Sequence, residues 1–291
     1  MSRNAATKIT AVSNATAQQI DTAGAIVYAN FTGETNVEKL ASEWNTRGLP
    51  EGLLPGITSF RTALHRAVRD VETRTTFKRK HANGWVVVDE TKDEAGASYE
   101  VACRVSLSAV NTPVVEPEDH AQAAKIRERY FYHLSAMEAA DTSAWIRGTL
   151  LPFIDALRLR ENGGVYFVPR HMIDMWRAMA GAVMASSSHR LFEIPALASD
   201  DALDAILDAV IVEARAEADA IENDLHTGDL GARALRGRAQ RCGTMVVKVE
   251  RYEELLGRKL DDVRDHLERL SAASVEAALM WEMEDDDAYN V

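Results

Sequence analysis

Seven Lys or Arg residues crowd positions 60–81, against only Asp70 and Glu72. Clustered cations are the footprint of phosphate contact, so Arg61, Arg66, Arg69, Lys78, Arg79 and Lys80 are the candidate nucleic-acid-binding residues. Phe60, Leu64, Val68 and Val71 recur at helical spacing and assign a core-facing stripe, which places most of the basic groups on the opposite side of a basic helix. The same pattern also describes an ordinary solvated face, or a docking site for the chain's own acidic half. No nucleic-acid reader motif accompanies it.

Other chemistry finds less support. No strand leads into G-x-G-x-x-G, and G-x-x-x-x-G-K-[ST] is absent, so no phosphate-cradling loop is legible and no cofactor is expected. H-E-x-x-H is missing and the two cysteines, Cys103 and Cys242, have no ligand-spaced neighbours, so no metal is expected. Ser186-Ser187-Ser188-His189 reads as a polar break and not as part of a nucleophilic triad, since G-x-S-x-G is also absent. No catalytic residue is assigned. Arg233, Arg236, Arg238 and Arg241 lie between acidic helices and suit intramolecular or intersubunit pairing, each exposed pair contributing only about 0.2–1 kcal/mol. Arg158 and Arg160 share one face of a strand, where they either hold an anion or decorate solvent.

Charge sharpens this picture. The chain of 291 residues carries a formal net charge of −12, which repels nucleic acid and anionic membranes as a whole. The average hides a gradient: residues 1–84 hold eleven basic against seven acidic groups, whereas residues 171–291 hold thirteen against twenty-five. Any anion-binding surface therefore belongs near the N-terminus. MSRNAATKITAVSNATAQQI lacks the basic start and apolar run of a secretory signal, and no stretch approaches the roughly 20 apolar residues that span a bilayer. The expected location is the cytoplasm, with no membrane partner.

The elements that position these residues follow from periodicity. Residues 1–57 read as a flexible arm carrying one short helix near Glu38–Trp44, and Thr58 or Ser59 caps the basic helix. Tyr99, Val101, Cys103, Val105 and Leu107 alternate with polar residues as one buried strand face, hairpinned to Trp85–Asp89 through a wide acidic loop. Helices are expected over Glu118–Ala140 and from Asp141–Ser143 onward. A second hairpin runs from Ala156–Arg160 through Glu161-Asn162-Gly163-Gly164 to Val165–Val168, where Pro169 stops it. Leu191–Ile194 is a further strand stopped by Pro195, followed by a helix capped at Ser199-Asp200-Asp201.

Beyond Asp201 the pattern is helical. Val249, Tyr252, Leu256, Leu260, Val263, Leu267 and Leu270 advance at the coiled-coil average of about 3.5 residues. These seven are the candidate oligomerisation residues, and the competing reading is a helical hairpin folded back on its neighbour. Residues 282–291 read as an acidic tail.

The run Gly163-Gly164-Val165-Tyr166-Phe167-Val168-Pro169, followed by a helix and Phe192-Glu193-Ile194-Pro195, resembles a family of uncharacterised bacteriophage and bacterial proteins. That resemblance implies an α+β fold and transfers no functional residue. The expectation is an α+β protein with an antiparallel sheet of about five strands over residues 58–200, then a helical hairpin or coiled-coil arm over 201–281. The expected function is a non-enzymatic phage or bacterial accessory protein acting by self-assembly, as a homo-oligomer or within a larger protein complex. The alternatives are a single-strand nucleic-acid-binding or annealing factor, and an enzyme whose site leaves no sequence signature.

Overall fold

A computed structural model describes residues 22–81, 83–93, 96–160, 163–227 and 230–289. Residues 1–21 of the expected arm and the Glu161-Asn162 turn lie outside the described residues, while the rest of that arm, residues 22–57, carries two strands and a helix. In chain order the first elements are β1 (Thr22–Asn30), β2 (Glu34–Asn36), α1 (Val37–Thr46) and α2 (Phe60–Arg69). Four strands follow: β3 (Thr76–His81), β4 (Gly84–Asp93), β5 (Gly96–Leu107) and β6 (Pro113–Glu116). Then come α3 (Ala123–Ser135), β7 (Ala136–Glu138) and α4 (Ala139–Trp145), which continues through one π turn into α5 (Leu151–Phe153). The chain ends with β8 (Leu157–Arg158), β9 (Val165–Pro169), α6 (Ile173–Ser186), β10 (Arg190–Leu197), α7 (Asp200–Thr227), α8 (Ala232–Leu256) and α9 (Asp261–Tyr289).

The fold is α+β. In place of one five-stranded sheet there are two four-stranded sheets, ordered β10-β1-β9-β8 and β3-β4-β5-β6, and a β2-β7 pair. The chain forms two units that interleave along the sequence, Met1–Tyr28 with Asp155–Ile173 and Glu193–Val291, and Ala29–Ile154 with Asp174–Phe192.

In the first unit, β1 pairs antiparallel with β9, from Gly24 opposite Pro169 to Tyr28 opposite Val165. Sequence periodicity did not reveal β1 because its small residues, Thr22-Ala23-Gly24-Ala25, carry little apolar contrast. They are small for a reason: a Cβ at position 24 would collide with the Val168 carbonyl and the Phe167 ring. One core joins Ala23, Leu157 and Phe167 to Ile206, Val210 and Ile221 of α7, Val249 and Tyr252 of α8, and Leu267 of α9. Polar pins fix α8 against the segment before β8. Tyr252 donates to the Asp155 carbonyl at 2.8 Å, and Lys248 Nζ donates to the Ala156 carbonyl at 2.9 Å and to Glu213 at 2.6 Å. Pro195 does not stop β10, which continues to Leu197.

In the second unit, β3–β6 form an antiparallel meander with α2 and α3 on one face. Leu64 and Val68 of α2 and Ile126 and Tyr130 of α3 pack on Trp85, Val87, Cys103, Val105 and Val115. The helix expected to run to Ala140 ends at Ser135, and residues 136–138 form β7 beside β2. Trp145 Nε1 donates to the Leu53 carbonyl at 2.8 Å and Trp44 Nε1 to the Pro50 carbonyl at 2.9 Å, which satisfies both buried indoles.

Candidate functional site

The basic segment is not one helix. Ser59 caps α2, its Oγ accepting from the Thr62 N–H at 3.2 Å, and α2 closes at Arg69. Lys78, Arg79 and Lys80 instead lie on β3. Phe60, expected in the buried stripe, is exposed, while Ala63, Leu64, Ala67 and Val68 form the inward face.

Half of the six candidate cations carry carboxylate partners. Arg66 holds Asp141 through two contacts of 2.6 and 2.9 Å, Arg69 Nη2 meets Glu138 at 2.6 Å, and Lys78 Nζ meets Glu72 at 2.8 Å. The Asp141 hydrogen bond holds the Arg66 guanidinium above its ordinary pKa. Asp70 accepts from Arg129 Nε at 2.5 Å and lies 2.8 Å from His133 Nε2. Burial alone would push the Asp70 carboxyl up, but those two hydrogen bonds outweigh it and hold it below the usual range. Glu72 follows the same logic: burial opposes ionisation, and the Lys78 ammonium and backbone N–H reverse it. His65, beside this cluster, is lowered by burial, then by Lys78 and Arg69. These groups form a closed ion-pair network, and its cations are poorly placed to meet phosphates.

Arg61, Arg79 and Lys80 have no ion-pair partner among the described residues. Arg79 lies on the sheet face away from the helices, its guanidinium 5.9 Å from the Phe77 ring centroid. The cross-strand register defines that face. Arg79 aligns with Val86, Arg104 and Glu116; Phe77 aligns with Val88 and Val101; and Tyr99 stands opposite Glu90. Directly opposed residues share a face, and Trp85, Val87 and Cys103 point to the helices, so these sets point the other way.

Tyr99 and Val101 were expected on the buried side with Cys103. A β-bulge corrects this: the register shifts between Val87 and Val88, where Cys103 pairs with Val87 but Val101 pairs with Val88. The additional residue, Ala102, packs toward the helices, and everything before it in β5 changes sides. Tyr99 is 63% and Val101 50% exposed as a result. Tyr99 donates to Glu90 at 3.0 Å, which raises its phenol pKa. A bulge has no fixed sequence signature, so alternation alone could not locate it.

The seven heptad residues do not lie on one helix. Gly257, at φ +63°, ends α8 in the left-handed conformation, and the pattern crosses the reversal into α9. Glu253 organises the reversal by accepting from the Leu260 N–H at 2.5 Å and pairing with Arg264 at 3.0 Å. Val249, Tyr252, Leu256, Leu260, Leu267 and Leu270 are buried in the intramolecular core and Val263 packs on it. None therefore presents a free interface.

A different apolar stripe on α9 was missed. Val275, Leu279 and Met283 recur every four residues and are 45%, 54% and 69% exposed, with Met280 alongside. Leu267, Leu270, Ser274 and Ala278 form the opposite, buried side. The i, i+4, i+8 apolar spacing is visible in the sequence, but Val275, Leu279 and Met280 fall in the expected helical region and Met283 in the expected acidic tail, whereas α9 runs through both to Tyr289.

An open groove of about 500 Å³ between β6 and α3 is lined by Pro113, Val115, Glu116, Arg127 and Phe131. No group of three or more His, Cys, Asp or Glu suited to a metal occurs among the described residues. No helix among them is long and apolar enough to cross a membrane. No curated protein and no solved structure matches the chain. A family of unknown function, DUF6744, matches residues 24–283, a span that takes in both units, and the chain belongs to that family.

Proposed function

We propose that this protein is a non-enzymatic accessory protein, phage- or bacterium-encoded, that works by self-assembly through the outer face of α9. The observation that carries this reading is the exposed row of Val275, Leu279 and Met283 with Met280 beside it. Four large apolar side chains over little more than two helical turns form the kind of patch that marks an interaction surface. Thioether side chains adapt to an opposing surface. A row spaced at four residues can pair with its own copy across a two-fold axis, the commonest solution for homo-oligomers. The buried, unpaired thiols of Cys103 and Cys242 support a reducing compartment, and we place the protein in the cytoplasm.

Light scattering coupled to gel filtration tests the reading. A defined multimer is expected at micromolar concentration, and Leu279→Glu with Met283→Glu should yield a folded monomer with unchanged helix content by circular dichroism and a melting temperature no longer dependent on protein concentration. A monomeric parent protein at tens of micromolar would overturn the proposal.

A further inference from the structure

The geometry points to a second, independent surface: the helix-free face of the β3–β6 sheet is a binding site for single-stranded nucleic acid. Phe77 and Tyr99 supply ring faces for bases, and Arg79 and Arg104 supply contacts for phosphates. The two rings sit on strands separated by β4, about 10 Å apart by strand spacing, so each can take its own base. Val88 and Val101, in register with Phe77, add apolar surface to the same face.

Charge selects the occupant. Arg79 and Arg104 have no carboxylate within ion-pair distance among the described residues, unlike Arg66, Arg69 and Lys78. Arg104 stands opposite Glu116 in register without forming an ion pair. The other carboxylate on this face, Glu90, is engaged by the Tyr99 hydroxyl at 3.0 Å and by Lys92 Nζ at 3.4 Å. Two unpaired guanidinium groups beside two aromatic rings are complementary to a chain that alternates phosphate and base. A duplex hides its ring faces and would use only half of this arrangement. The chain's net charge of −12 opposes long-range attraction, so binding should depend on this short-range match and weaken steeply with salt.

Fluorescence anisotropy on the full chain, with labelled oligo(dT) and oligo(rU) of roughly 20 nucleotides at about 50 mM salt, tests the inference. Binding should be tighter to these single strands than to a duplex of equal length. Tyr99→Ala should weaken it by tenfold or more. Arg79→Gln with Arg104→Gln should lower the slope of log affinity against log salt by about 1.4, as expected for two lost phosphate contacts on a single strand. Arg61→Gln should leave affinity within twofold. Phe77 is half-buried, so the exposed Tyr99 and Arg104 variants are decisive, with folding checked by thermal melting. No binding at about 50 mM salt, equal affinity for duplex, or unchanged affinity on Tyr99→Ala would each overturn the site. So would a silent oligonucleotide alongside a protein that is captured from nuclease-treated extract and lost with the same variants. Multimer formation through α9 is read separately, so either surface can fail without the other.

Discussion

The α7–α9 region and the β3–β6 sheet are both amphipathic, yet they treat their charged residues in opposite ways. In the helical region, cations meet carboxylates from neighbouring helices: Arg238 with Asp224 at 2.5 Å, Arg241 with Glu217 at 3.0 Å and Arg258 with Asp204 at 2.5 Å. Arg236 meets Glu282 at 2.5 Å, and Arg233 has no ion-pair partner among the described residues. In the sheet, alternation sends every second side chain away from the helices, and no other element of the unit is described as packing on that face to supply carboxylates. A run of cations in sequence therefore does not report availability. What decides it is whether a second acidic element packs alongside, as β7 and α4 do for Arg66 and Arg69.

The sharpest way to test this contrast is to break the interior of the helical region. Tyr252→Ala removes a fully buried ring, its contact with Phe167 and the hydrogen bond to the Asp155 carbonyl. The expected loss is about 3–5 kcal/mol, measured by urea unfolding. Leu279→Ala on the outer face of the same region should stay within about 0.5 kcal/mol for the isolated chain. Comparable losses at the two positions would mean that α9 buries its outer stripe internally.

The ion-pair network under α2 should respond next. Asp70→Asn leaves Arg129 and His133 without their shared anion and is expected to cost about 1.5–3 kcal/mol. Acid should weaken the same unit in two stages. His189 is buried, its Nδ1 accepting from the Thr32 N–H at 3.1 Å, and burial lowers its pKa, as it does for His65. The unfolded chain takes up these protons first, so stability is complete above about pH 6.5 and declines as pH falls below it toward the folded pKa values. Asp70 and Glu72, lowered in the fold, add a second decline below about pH 4, as protons reach the unfolded carboxyls before the folded ones. A melting temperature that stays flat from about pH 7.5 to 5 would contradict the first stage. Ser59→Ala, which removes the α2 cap, should cost about 1 kcal/mol.

Much of the architecture was legible because it rests on period and punctuation. Ser59 as a cap, the Val165–Val168 strand and the start of α7 at Ser199-Asp200-Asp201 all announce themselves through local chemistry. What escaped depends on non-local partners. β1 is defined by close approach to β9, so its glycine and alanines look like linker composition. The β3 assignment of Lys78–Lys80 requires β4 beside it, and the exposure of Tyr99 depends on one inserted residue, Ala102. The 249–270 stripe is apolar and inward as its spacing suggested, but one positive-φ glycine turns a continuous heptad pattern into two antiparallel helices.

The smallest expected effect bears most directly on the contrast between closed and open charges. Arg79→Gln and Arg104→Gln remove cations that have no carboxylate partner among the described residues, and neither deletes a buried contact. Their combined effect on unfolding free energy should stay within about 0.5 kcal/mol, while Arg66→Gln strands Asp141, Glu138 keeping its contact with Arg69, and should cost about 1.5–3 kcal/mol. Urea unfolding of the three proteins, repeated at about 0.5 M salt, separates the cases: screening should narrow the Arg66 difference and leave the sheet variants unchanged. If Arg79→Gln with Arg104→Gln destabilises as much as Arg66→Gln, the sheet face is already internally paired. A surface whose cations are bound to its own chain has none to offer a phosphate, so that result would remove the physical basis for ligand binding there even before an oligonucleotide is added.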